Sequence, residues 1–71
     1  MSMNEINGIR EWLKAGNSLT PLEALNRFGT FRLAVVINRL RARGMRIKTE
    51  IIEDEATGKR FARYSLERGN E

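Results

Sequence analysis

Residues 20–44, TPLEALNRFGTFRLAVVINRLRARG, restrict the fold more than any other part of the chain. Thr20 stands before Pro21, with Glu23 three positions on. That is a capping box with proline at the first helical position, and it predicts a helix over Pro21–Phe28. Gly29 breaks the pattern, and Thr30 is placed to cap a further helix running to about Arg43, with Gly44 as its stop. Leu22, Leu25 and Phe28 are expected to face inward, and Ala24 is small enough for close helix approach. In the following helix Leu33, Ala34, Ile37 and Leu40 form the expected core stripe. At about 100° per residue, Arg32, Val35, Arg39 and Arg43 fall opposite it, with Phe31, Asn38 and Ala42 nearby.

Charge follows the same division. Between Ala24 and Thr49 there is no Asp or Glu, but seven basic residues: Arg27, Arg32, Arg39, Arg41, Arg43, Arg46 and Lys48. The net charge is only +4, so the excess is concentrated in this segment. Two short helices joined by a tight turn, the second rich in arginine, are a common way to present side chains to the DNA major groove.

The flanking segments complete a small domain. Upstream, a helix is expected from about Glu5 to Ala15. Asn4 is the candidate cap, Ile6, Ile9 and Leu13 are the apolar stripe with Trp12 beside it, and Gly16 follows the end. Downstream the period changes. Met45–Ile52 and Arg60–Leu66 alternate like strands around the polar connection Asp54–Lys59, which predicts a β-hairpin. Ile47, Thr49 and Ile51 share one strand face. Ala62, Tyr64 and Leu66 alternate with Phe61, Arg63 and Ser65, and either face can pack on the helices. Ser18 and Leu19 can add a short strand at the hairpin edge. Residues after Leu66 are expected to fray. The order of elements predicts an α+β fold, a winged helix-turn-helix of three helices followed by a β-hairpin wing. It forms a single domain over 1–71 with an ordered core of about 4–66.

Size and composition exclude several functions. Seventy-one residues supply little material for the walls of a catalytic pocket. Neither cysteine nor histidine is present, which removes disulfides, thiolate sites and the commonest general base and metal ligand. No nucleophile–base pair or Gly-rich phosphate loop can be assembled, so neither an enzyme nor a cofactor is expected. Glu53, Asp54 and Glu55 are a lone acidic turn without further ligands, and no metal is assigned. No apolar run approaches the roughly 20 residues that span a bilayer, and the polar N-terminal stretch is not a signal peptide. A cytoplasmic location in a bacterial host cell is expected.

The chain resembles small winged helix-turn-helix proteins of phage and prophage type. The residues that carry the likeness run from Leu19 to Leu25, then Phe28-Gly29, Phe31-Arg32-Leu33-Ala34, Ile37, Leu40-Arg41 and Gly44. Ile47-Lys48-Thr49-Glu50 and Arg63-Tyr64-Ser65-Leu66 look like wing strands. The likeness covers about Ser18 to Leu66. It implies that the Thr30–Arg43 helix reads the major groove and that the Glu53–Arg60 turn touches backbone or minor groove. Two departures stand out. Glu53-Asp54-Glu55 is acidic where a DNA-clasping wing carries basic residues, which confines wing contact to Lys59, Arg60 and Arg63. Ala24 lies five positions before Gly29, where four is usual.

The DNA-binding candidates are therefore Thr30, Phe31, Arg32, Val35, Asn38, Arg39, Arg43, Arg46, Lys48, Lys59 and Arg60. Arginine pairs bidentately with guanine or phosphate, and asparagine with adenine. A solvated helix face normally mixes signs through acids at i+4, and this one has none. Arg32 and Arg39 are expected to reach base edges. Val35 and Ala42 suit thymine methyls or a dimer contact. Thr30 suits capping or phosphate. Arg27 and Arg41 suit flanking phosphates, or for Arg41 a structural ion pair. Phosphate contact and plain solvation explain Arg46 and Lys48 equally. Trp12, Phe28 and Tyr64 are read as core rather than stacking platforms. The partner expected is double-stranded DNA, bound by a homodimer or cooperative array, with the protein as a transcriptional regulator. The alternatives are a protein-interaction module docking through Glu53, Asp54 and Glu55, for example an inhibitor of a host polymerase or regulator, and a DNA-bending recombination accessory protein.

Overall fold

The computed structural model describes residues 3–67. Three helices, α1 (Met3–Lys14), α2 (Pro21–Phe28) and α3 (Leu33–Ala42), are followed by an antiparallel hairpin of β1 (Ile47–Glu53) and β2 (Arg60–Leu66). This is the expected α+β order. α1 packs against α2, α3 and β2. It begins at Met3, so Asn4 lies inside the helix rather than at its cap.

The capping box at α2 forms as the sequence predicts. The Glu23 N–H donates to Thr20 Oγ1 at 3.2 Å, and the Thr20 N–H donates to Glu23 Oε1 at 3.0 Å. At its other end Gly29 adopts φ 68°, a left-handed conformation that costs glycine little. Its N–H donates to the Leu25 carbonyl at 2.9 Å, which closes the helix and starts the turn.

The core is built from Ile6, Ile9 and Leu13 of α1, then Leu19, Ala24, Leu33, Val36, Ile37, Leu40 and Ile47. Trp12, Phe28, Met45, Tyr64 and Leu66 pack against it half-buried. Phe28 meets Trp12 edge-on at 6.3 Å between centroids. A Cβ on Gly8 would lie 3.1 Å from the Phe28 ring, so α1 and α2 approach closely because position 8 has no side chain.

Three expectations about facing are corrected. Leu22 is 67% exposed, because α2 is only two turns long and its first turn projects beyond the core. In α3 the buried residue is Val36 and Ala34 is exposed, which turns the helix from its expected phase. Thr30 does not cap α3. The N-cap is Arg32, without a side-chain cap bond, while the buried Thr30 accepts the Arg32 N–H at 3.1 Å and so shapes the turn.

In the hairpin Ile47 pairs with Leu66, Thr49 with Tyr64 and Ile51 with Ala62, and the Ile47 side of the sheet lies on the helices. Burial fades from this base toward the tip, where Ile51 is 62% exposed. Leu19 adds the expected third element as an isolated bridge to the free edge of β2. Its N–H and carbonyl each bond Tyr64 at 2.8 Å. At Glu67, the first residue expected to fray, the N–H donates to the Arg46 carbonyl at 2.8 Å. The rest of that expectation falls on residues outside those described.

Candidate nucleic-acid interface

The exposed side of α3 is the centre of the candidate site. Its ten residues span about 15 Å, and a helix about 10–12 Å across matches a major groove about 12 Å wide. Leu33, Val36, Ile37 and Leu40 fix the inward direction. On a wheel of about 100° per residue, the outward pole is then Val35, Asn38 and Ala42. All three are exposed, Val35 at 39%. Arg39 lies about 70° to one side, and Arg43 follows it on that flank. Arg32, seven positions before Arg39, continues the row at the N-cap. Within the described residues none of these three arginines, nor Arg46, forms an ion pair. A row of cations without ion-pair partners among the described residues favours a polyanion along that flank.

Arg41 points to the other flank. Its Nε and Nη2 donate to the Ile47 carbonyl, at 3.1 Å and 2.5 Å, and Nη2 also reaches Thr49 Oγ1 at 2.9 Å. This is a bridge from α3 to the hairpin rather than an ion pair. Arg27 stacks on Trp12, with its guanidinium carbon 4.4 Å from the ring centroid.

Around the N-terminal end of α3 the turn leaves Phe31 87% exposed. Phe31 and Arg32 border a shallow hollow with Glu5, Gly29 and Thr30. Arg46 precedes β1, and Lys48 lies on the outer sheet face, because Ile47 beside it points inward. On that face Arg63 pairs with Glu50 at 2.6 Å, which holds the Glu50 carboxyl below the usual glutamate range, with Lys48 adding to the effect. Arg63 is thereby committed within the wing. Lys59 and Arg60 are exposed where the hairpin returns from its tip.

The wing tip is ordered by its own acid. Asp54 Oδ1 accepts the Ala56 N–H at 2.8 Å, and the Asp54 N–H donates to the Lys59 carbonyl at 2.8 Å. Between this turn and the start of α2 runs an apolar groove of about 450 Å³, with Pro21, Leu22 and Phe61 in its wall. Sequence reading missed it because it joins segments about 40 residues apart. Leu22, expected to face inward, gave no sign of it.

A helix-turn-helix whose second helix shows a solvent-facing side, followed by a hairpin beside it, defines a winged DNA-binding domain class. The chain belongs to the winged helix-turn-helix domain family, which it matches over residues 7–69. No curated protein and no solved structure matches it. Membership implies DNA binding. Within the described residues no helix is long and apolar enough to cross a membrane.

Proposed function

We propose that this protein is a sequence-selective double-stranded DNA-binding protein, a small transcriptional regulator of phage or prophage type acting in the bacterial cytoplasm. The observation that carries the reading is the outer side of α3, flanked by Arg32, Arg39 and Arg43, none of which forms an ion pair among the described residues. α3 enters the major groove and the arginines anchor it. Phe31, Val35 and Asn38 lie at the groove, Thr30 supports the turn behind them, and Arg46, Lys48, Lys59 and Arg60 face the flanking backbone. A face of this length covers about four base pairs, so a homodimer or cooperative array supplies the remaining specificity.

The test is a gel-shift titration against duplex DNA over a range of salt. Neutralising about four to six phosphates gives a log–log slope of roughly −4 to −5. Absent or salt-insensitive binding refutes the reading.

A second reading rests on the apolar groove beside the acidic turn. A protein-interaction module would use Leu22 and Phe61 as apolar anchors, with Asp54, Lys59 and Arg60 at the rim and Glu53 and Glu55 beside it in the acidic turn. It replaces the first if duplex is not bound and a partner is lost on neutralising those three acids.

A further inference from the structure

The pole of α3 carries a chemical pattern of its own. Val35 and Ala42 present methyl groups, and Asn38 between them presents a carboxamide. No cation stands at the pole. The arginines that pair bidentately with guanine are displaced to the flank. Short side chains at the pole let the helix backbone approach the groove floor. Long ones stand to one side, Arg39 about 70° from the pole and Arg32 and Arg43 further round, and extend toward the groove wall, where the phosphates are.

We propose, building on the duplex-binding reading above, that this face selects A·T pairs at the centre of its site. Val35 and Ala42 pack on thymine 5-methyl groups. The Asn38 carboxamide accepts from adenine N6 and donates to adenine N7. Arg32, Arg39 and Arg43 hold one phosphate strand and carry affinity without base preference. A G·C pair at the pole leaves the guanine O6 and N7 acceptors without the cation that reads them best and offers no methyl to the aliphatic side chains.

The experiment selects bound sites from random duplex and then alters single atoms in the preferred site. Deoxyuridine in place of thymine removes only the methyl group. 7-Deazaadenine in place of adenine removes only N7. The expected result is an A·T-centred site, binding several-fold weaker with deoxyuridine at one or two positions, and about ten-fold weaker with 7-deazaadenine at one. Val35→Ala abolishes most of the deoxyuridine effect, and Asn38→Ala abolishes the 7-deazaadenine effect. Both leave the salt slope unchanged. These side chains are exposed, so melting curves of the variants should match the parent. A G·C-centred site, or indifference to both analogues alongside steep salt dependence, overturns this inference and leaves duplex binding standing. No binding to any duplex at low salt overturns both.

Discussion

Arg41 of α3 donates two hydrogen bonds to the carbonyl oxygen of Ile47, the first residue of β1. The helix that faces the groove and the strand that begins the wing are thus fixed to each other by a charged donor. The segment Arg43–Arg46 between them can be short because this bridge and Ile47 burial set its ends.

Arg41→Ala should lower stability by about 1–2 kcal/mol, the range for a hydrogen bond to a charged group at a partly exposed site. Urea denaturation reads this directly. Because the guanidinium is engaged within the protein, the salt slope of DNA binding should stay unchanged. A slope shallower by about one would show that Arg41 also contacts phosphate.

The phase of α3 can be tested by paired substitutions. Leu40→Ala removes a fully buried side chain and should cost about 3–4 kcal/mol; Val36→Ala should cost about 2. Phe28→Ala, at a half-buried ring, should cost about 2 kcal/mol. Leu22→Ala and Ala34→Ser should fall within about 0.5 kcal/mol of the parent. Thermal melts that rank Ala34 above Val36 would contradict the packing.

Glu50 gives a pH dependence of known sign. The hydrogen bond and charge of Arg63 lower its folded-state pKa, so its contribution is present at neutral pH and fades as pH falls through the depressed value. Glu50→Gln should be slightly less stable than the parent at pH 7 and equal to it once both are well below the usual glutamate range. The pair is exposed, so the gap should be small. Melts at several pH values measure it, and a gap that widens in acid would reverse the assignment.

Arg39→Ala and Lys48→Ala should each weaken binding to a preferred and a scrambled duplex alike, with a salt slope shallower by about one. Loss confined to the preferred site for Arg39 would return it to the groove floor as a base reader.

Local signals in the sequence determined the elements themselves. Thr20, Pro21 and Glu23 fix the start of α2 through a reciprocal bond pair that needs no distant partner. Gly29 fixes its end, the change of period after Gly44 marks the hairpin, and the acid-free basic stretch identifies the charged segment. Rotation about each helix axis was decided only in the folded protein. Ala34 and Val36 both suit an apolar stripe, and the choice between them belongs to the elements that α3 packs against. That choice centred the outward pole on Val35, Asn38 and Ala42 and left the arginines, expected to share it with Val35, to one side. Leu22, on the first turn of α2, lies outside the core and lines a groove that the hairpin tip faces. Arg41 and Arg27, read in the sequence as suited to flanking phosphates or, for Arg41, an ion pair, are engaged by a carbonyl and a ring close to them in space. Caps and turns are satisfied within a few residues and are therefore legible in the chain. Facing and charge pairing depend on atoms brought together from distant segments, so only the tertiary structure settles them.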